Sequence, residues 1–521
     1  MNLASYVSGG WVEGTGEGTA LTDPVLGTEL ARASSDGVDL AQAMDHARKT
    51  GGPALRELSF AARGELLKVV ADVLSANRDT YFTTAVANSG NTKIDAAIDI
   101  DGGIGTLKFF ARLGDKLGET RNLHDGGFDR LARDEAFQAM HLSVPITGVA
   151  IHINAFNFPS WGLWEKAAVA ILSVVPVLAK PATATALLSY QMVKDVIEAA
   201  ALPDGVLSLV CGPARDLADH VTGADAIAFT GSAATANALR AHPGAIATNV
   251  RFNVEADSLN CSLLGPDAKA GSAEFDLFVR EVAREMTQKA GQKCTAIRRA
   301  LVPKGVIDDV AGALEARLAN TVMGNPRDES VTMGPIVNKT QQAAVIAAID
   351  ALKAETTAVT GEAAKDLIDA DAEVASFVAP TLLRCDAPAD GRAVHEVEAF
   401  GPVSTLMPYD GPAQAYDLAG RGGGSLAASV FTADKDFAAE AALALGPHHG
   451  RVLIVDESVG KSQTGHGIVM PMCVHGGPGR AGGGEELGGL RGLRFYHQRL
   501  AVQGRADWLK TLAEGAAELA S

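Results

Sequence analysis

Cysteine is scarce in this sequence: Cys211, Cys261, Cys294, Cys385 and Cys473 stand far apart in 521 residues, odd in number and never spaced as CxxC. That usage excludes a disulfide framework and a cysteine zinc site, so no metal is expected, and it fits a reducing compartment. Positive charge is also in deficit, with 45 Lys and Arg against 62 Asp and Glu, a formal net charge of −17. Such a chain has no general affinity for nucleic acid or an anionic membrane, although a local basic pocket for an anionic ligand stays open. Long apolar runs are missing too. The most apolar stretch, Ala167 to Ala179, is interrupted by Pro176 and is too short to span a bilayer. The opening residues, Met1 to Tyr6, lack the basic and apolar regions of an export signal, and a cytoplasmic protein is expected. No internal repeat of solenoid period occurs.

What remains is ordinary globular composition, 47% hydrophobic and 21% charged. The length exceeds a single core and predicts two or three domains. Before residue 130 the texture reads as helical, with Leu66, Val70, Val73 and Leu74 on one face. From Val149 short β-rich runs alternate with helices: Val149 to Ile153, a helix from about Trp164 to Val174, Val177 to Ala179, a helix from about Thr185 to Ala200, Val206 to Val210 and Ala226 to Phe229. Apolar strands separated by helices predict an α/β chain with a parallel sheet covered on both faces, a fold that places ligands at the carboxyl ends of its strands. A second α/β segment runs from about Asp257 to Arg480. The glycine-rich stretch Gly476 to Gly484 is either a flexible linker or a tight turn at a site. Asp507 to Ala520 is expected to be a short helix.

The chemistry centres on Cys294, in Ala290-Gly291-Gln292-Lys293-Cys294-Thr295, with Glu255 upstream in Asn253-Val254-Glu255-Ala256-Asp257. A thiolate is a strong nucleophile, and a carboxylate nearby activates water against whatever the sulfur has captured. Taken alone, Cys294 reads more readily as a buried small hydrophobe, the usual fate of a free cysteine. Phe229-Thr230-Gly231-Ser232 follows an expected strand and opens the helical run Ala233 to Arg240. Free N–H groups and the helix dipole there suit a pyrophosphate, or the glycine simply makes the turn.

These pieces stand in order with Phe156-Asn157-Phe158-Pro159, Val177-Leu178-Ala179-Lys180-Pro181-Ala182 and Glu398-Ala399-Phe400-Gly401-Pro402-Val403. The series resembles the aldehyde dehydrogenase superfamily over almost the whole chain. The resemblance implies the aldehyde dehydrogenase fold: a Rossmann-like dinucleotide-binding domain (residues 1–129 and 149–256), an α/β catalytic domain (257–480), and a small β oligomerisation region with the C-terminal tail (130–148 and 481–521). It implies that Cys294 attacks an aldehyde, that Asn157 and the Cys294 backbone N–H hold the oxyanion, and that Glu255 activates the hydrolytic water. It further implies that Phe156, Lys180, Thr183, Phe229, Gly231, Ser232, Glu398 and Phe400 line the cofactor site, Glu398 on the nicotinamide ribose and Phe400 against the ring. A homodimer is expected, with a tetramer open.

Two details go further. Where NAD-preferring members carry a glutamate three positions after the Lys-Pro lysine, this chain has Thr183. A carboxylate about 4 Å from a 2′-phosphate would be repelled by roughly 4 kcal/mol at an effective dielectric near 20, so its absence points to NADP, with Lys180 as a partner for the phosphate. Second, Glu255-Ala256-Asp257-Ser258-Leu259-Asn260 departs from the common Glu-Leu-Gly-Gly frame. With Gly291 to Ala296 and Phe495-Tyr496-His497-Gln498, it looks like the branch that oxidises coenzyme A-linked semialdehydes from aerobic aromatic ring cleavage, as in benzoate degradation. Glu255 itself favours hydrolysis to a free acid over transfer to coenzyme A. Alternatives are a semialdehyde of the phenylacetate route, a general aldehyde, or a non-redox thiol hydrolase. Asp456 to Val474 either shapes the substrate entrance or is a plain loop. His475 and His497 are expected to be structural. Arg298, Arg299, Arg480 and Arg491 are all available for coenzyme A phosphates.

Overall fold

The computed structural model describes residues 1–361 and 366–519. Its frame is two seven-stranded sheets, each mainly parallel and sandwiched between helices. The first sheet runs in the order Arg251–Glu255, Ala226–Thr230, Ala150–Ile153, Val177–Lys180, Leu207–Leu209, Ser5–Val7 and Gly10–Val12. The first five strands are parallel, and the two N-terminal strands close the edge antiparallel. The chain enters at Ala150–Ile153, winds through Val177 and Leu207, then crosses back to Ala226 and Arg251 on the other side. That reversal opens a crevice outside the carboxyl ends of the strands, where Ile153, Lys180, Thr230 and Glu255 stand.

The second sheet runs in the order Thr357–Ala358, Thr381–Arg384, Val403–Tyr409, Arg299–Pro303, Cys261–Leu264, Ser425–Phe431 and His449–Val455, parallel except at its first strand. Ser425–Phe431 is buried along its whole length, as a central parallel strand between two helical layers must be. A four-stranded sheet stands apart, in the order His497–Arg505, Phe137–Pro145, Asn122–Arg130 and Ala516–Glu518. Its outer strand His497–Arg505 is largely exposed and pairs antiparallel with Phe137–Pro145 over nine residues. No helix among the described residues is long and apolar enough to cross a membrane.

The alternating strands and helices from Val149 onward are present with ends shifted by a few residues, and Ala233–Arg240 is helical as expected. Leu66, Val70, Val73 and Leu74 lie on the Phe60–Ala76 helix, with Val70 and Leu74 fully buried. The helical reading of everything before residue 130 needs correction. Five strands of two to five residues precede Ala33, and another spans Asn122–Arg130. The first five are too short to show a period of two. The tail is helical only over Ala506–Glu514 and then forms the strand Ala516–Glu518; Ala520 lies outside the described residues.

The Gly476 to Gly484 stretch is a tight turn at the site, not a linker. Gly479, Gly482 and Gly483 have φ of 57°, 110° and 73°, and a side chain on Gly482 would collide with the Val254 carbonyl. Gly484 N–H donates to that carbonyl at 3.2 Å, and Ala256 N–H donates to the Ala481 carbonyl at 3.0 Å. The turn therefore grips the backbone on both sides of Glu255.

Asp99, buried in the Lys93–Leu117 helix, accepts hydrogen bonds from the N–H groups of Ser160 (3.2 Å) and Trp161 (2.7 Å). It thereby caps the Trp161–Leu172 helix that carries Glu165 and Lys166. Asp99→Ala is expected to cost about 1–2 kcal/mol and lower the thermal midpoint by a few degrees. An unchanged melting curve at the same scan rate would refute that role.

Candidate active site

Cys294 follows a backbone segment that only local packing can hold. After the Ala273–Thr287 helix, Lys289, Ala290 and Gly291 take φ of 53°, 50° and 66° in succession. For the two non-glycine residues this costs of order 1–3 kcal/mol each. A side chain on Gly291 would strike the Gly401 carbonyl, so glycine brings the Cys294 loop onto the Glu398-to-Val403 segment. Arg298 fastens the two: its guanidinium donates to the carbonyls of Gly401 (2.7 Å), Gly291 (2.9 Å) and Lys293 (3.2 Å). Asn260 Nδ2 donates to the Cys294 carbonyl at 2.7 Å. Arg298 and Arg299 are thus corrected as candidates for coenzyme A phosphates. Both are buried, and Arg299 is spent on the carbonyls of Leu259, Leu418 and Ala419. Arg480 donates to the Glu396 carbonyl at 3.0 Å, while Arg491 is exposed.

Two cavities meet at the thiol. A cleft of about 430 Å³ lies in the crevice of the first sheet and is lined by Phe156, Lys180, Phe229, Gly231, Ser232, Glu398 and Phe400. A narrow cavity of about 50 Å³ opens on the other side, between Phe158, Trp161, Gly467 and Val469. Asn154, Asn157, Thr230, Glu255 and Cys294 line both. The structure therefore brings together every expected site residue except Thr183, which is half-buried at the start of the Thr183–Thr185 turn just beyond the cleft residue Ala182. The Asp456-to-Val474 stretch does shape the narrow cavity through Gly467 and Val469, and Thr295 Oγ1 donates to the Gly467 carbonyl at 2.9 Å.

The cleft suits a dinucleotide. Glu398 Oε1 is buried without a hydrogen-bond partner, and burial pushes this carboxyl up to about 7, as for an acceptor awaiting hydroxyl groups. Phe400 meets Phe156 edge-on at 5.7 Å. Lys180 has its ammonium pushed down by burial. Ser232 caps the Ala233–Arg240 helix by accepting from Thr235 N–H at 3.2 Å. Asp257, which sequence reading passed over, already accepts from the Ala233 N–H at 3.0 Å.

Behind the thiol lies a buried charged cluster. Lys166 Nζ sits 3.2 Å from Glu165 Oε1 and 3.0 Å from Glu486 Oε2. Carboxylate oxygens of Glu165, Glu255 and Glu486 all lie within 4.8 Å of one another, and the cation placed among them is this ammonium. His475 Nε2 is 3.2 Å from Glu255 Oε1. Burial alone would raise Glu255, but His475 and then Lys166 reverse it and hold the carboxyl below its ordinary range. Glu165 is raised, chiefly by burial. Burial opposes the charged forms of Lys166 and His475, yet the neighbouring carboxylates raise both. Cys294 is raised well above an ordinary thiol, first by burial and next by Glu255. The arrangement is a protonated nucleophile with an ionised base beside it.

Sequence reading missed Glu165, Lys166 and Glu486, and it took His475 as structural. Glu165-Lys166 had a usable signal, two charges inside the otherwise apolar run Trp161 to Leu172. His497 is structural as expected, its Nδ1 donating to the Leu493 carbonyl at 2.6 Å.

A family model described as aldehyde dehydrogenase family matches residues 11–502, and the chain belongs to that family. It is 53% identical over 479 residues, 92% of this chain and 93% of the relative, to the 3,4-dehydroadipyl-CoA semialdehyde dehydrogenase of Aromatoleum evansii. It is 26% identical over 438 residues, 82% of this chain and 85% of the relative, to the alpha-ketoglutaric semialdehyde dehydrogenase of Bacillus subtilis. Among solved structures, betaine aldehyde dehydrogenase from Staphylococcus aureus in complex with NAD+ shares the fold, with a TM-score of 0.82 at 23% identity over 96% of this chain and 94% of that one.

Because the Glu255 carboxylate helps hold the thiol protonated, Glu255→Gln is expected to speed alkylation of Cys294 in the free protein several-fold at pH 8. Mass spectrometry of the Cys294 peptide after iodoacetamide separates it from the exposed Cys473. A slower or equal rate would overturn the electrostatic account.

Proposed function

We propose that this chain oxidises a coenzyme A-linked semialdehyde, 3,4-dehydroadipyl-CoA semialdehyde, to its carboxylic acid with NADP. The observation that carries the reading is the meeting of a dinucleotide-sized cleft and a narrow acyl cavity at one thiol with one carboxylate. The 53% identity to a relative of that name supports the substrate. The narrow cavity is too small for a nucleotide, so the coenzyme A moiety stays outside it.

Glu255 takes the thiol proton as Cys294 Sγ attacks the aldehyde carbon, forming a C–S bond and placing the negative charge on oxygen. Asn157 and the Cys294 N–H donate to that oxygen. Lys180, Glu398, Phe400, Phe156 and the Phe229-Thr230-Gly231-Ser232 turn hold the dinucleotide, which supplies the hydride acceptor when bound. The acyl group left on sulfur is a thioester. Glu255 takes a proton from water as the water attacks the acyl carbon, the C–S bond breaks, and the free acid leaves with the thiol restored. The carboxylates of Glu165 and Glu486, whose oxygens lie within 4.8 Å of that of Glu255, are close enough to receive that proton in turn.

NADP preference rests on Thr183, which leaves no carboxylate after Lys180 to repel a 2′-phosphate. We keep the domain division as a proposal: each of the two large sheets lies within one of the first two parts, the strand Asn122–Arg130 of the four-stranded sheet starts inside the first, and the exposed nine-residue edge of His497–Arg505 supports a pairing surface for a homodimer.

With the coenzyme A semialdehyde, reduction of NADP is expected to outpace that of NAD, and a simple aliphatic aldehyde to be turned over poorly. Equal use of the simple aldehyde would sink the substrate reading. Thr183→Glu is expected to raise the KM for NADP at least about tenfold while sparing NAD. Asn157→Ala should lower kcat by about a hundred- to a thousandfold, the usual loss of one oxyanion donor; a value within about threefold of wild type would remove Asn157 from that role.

A further inference from the structure

His475 is built into the site by backbone packing. It lies on the strand Val474–Gly476, paired antiparallel with Glu485–Leu487 so that His475 stands opposite Glu486. The strand is seated by close backbone approach. A side chain on Gly450 would collide with the Gly476 carbonyl, and one on Gly476, whose φ is 145°, with the Gly484 carbonyl. The ring lines the wall of the narrow cavity, together with Glu255 and Cys294. His475 and Glu255 are both buried, with side chains 7% and 4% exposed.

The surrounding charges explain why a basic ring belongs there. Glu255 faces it from the Arg251–Glu255 strand, Glu165 and Lys166 from the Trp161–Leu172 helix, Glu486 from its paired strand, Arg451 from His449–Val455, and the Cys294 thiol from its loop. Arg451 is committed elsewhere, its guanidinium donating at 2.7 Å to the carbonyls of both Ile468 and His466. Three carboxylates thus share the single ammonium of Lys166 unless His475 supplies a second cation. His475 Nε2 stands 3.2 Å from Glu255 Oε1, so a protonated ring meets the carboxylate directly.

We propose that His475 is a positioning residue for Glu255, a buried imidazolium that keeps the carboxylate ionised and facing the cavity beside the thiol. The inference rests on the reading of Glu255 as the water-activating base. It makes the pH range of the hydrolytic step a property of the His475–Glu255 pair, set from a strand remote in sequence from the nucleophile. The sign follows from the charge. Removing a cation beside a carboxylate raises the pH at which the carboxylate loses its proton, so the acid limb of turnover moves upward.

The test uses His475→Gln and His475→Asn, which keep a polar side chain and remove the charge, with near-ultraviolet circular dichroism to select the folded variant. In the steady state, the acid limb of kcat is expected to rise by at least about one pH unit with little change in KM. Without substrate, infrared difference titration against wild type should show an additional protonated-carboxyl band persisting into the neutral range in His475→Gln, and that added band should vanish in the Glu255→Gln/His475→Gln double variant. A loss of activity equal at every pH, with no such band, would reduce His475 to a packing residue and overturn the proposal. If no aldehyde is oxidised at all, the functional reading fails, and the infrared titration still decides whether His475 holds Glu255 ionised.

Discussion

Three carboxylates, an ammonium and an imidazole are buried together behind Cys294, and the elements around them are fixed by the need to keep those charges matched. Taking a single ion out of water costs several kcal/mol unless a partner is held in good geometry. Lys166 meets that requirement for Glu165 and Glu486 at 3.2 and 3.0 Å, which ties the Trp161–Leu172 helix to the Glu485–Leu487 strand. Asn253 extends the tie: its Nδ2 donates to Glu486 Oε1 at 2.9 Å, and its Oδ1 accepts from Glu485 N–H at 2.8 Å. Helix, strand and turn around Glu255 therefore form one electrostatic unit. Its position relative to the thiol cannot drift without leaving a buried charge alone.

Close backbone approach does for the loops what charge does for this cluster. Gly291 against Gly401, Gly482 against Val254 and Gly450 against Gly476 are each contacts that a single methyl group would break. They join segments far apart in sequence: the Cys294 loop to the Glu398 segment, and the glycine-rich turn to the strand ending at Glu255. Arg298 then spans the first of these joints from within. Strain at Lys289 and Ala290 is held in place by this packing. The result is a nucleophile whose backbone is fixed before any ligand arrives.

Much of the fold was legible because its signals are local. Parallel strands between two helical layers are continuously apolar, and Val177–Lys180 and Ala226–Thr230 show it in runs of four to five residues. The strands before Ala33 were not legible, because two to five residues give no period to read. Cys294, Glu255 and Asn157 line both cavities and Glu398 lines the larger cleft; all four could be picked out in sequence because each sits in a motif whose order along the chain carried the assignment.

The histidine shows where such reading stops and why. His475 neighbours Cys473, Val474 and Gly476 in the chain, and none of these announces a base. Its meaning comes from Glu255, two hundred residues upstream, and from a glycine seat that only the folded backbone reveals. Arg298 makes the converse case. In sequence it is a cation near the nucleophile, available for phosphate. In the structure its donors are spent on three carbonyls, and burial pushes its charged form down. The charge environment of a titratable side chain is read from sequence only when its partners are neighbours in the chain. At this site the partners are assembled by the fold, so its electrostatics become visible only once the two sheets and the glycine-rich turn are in place.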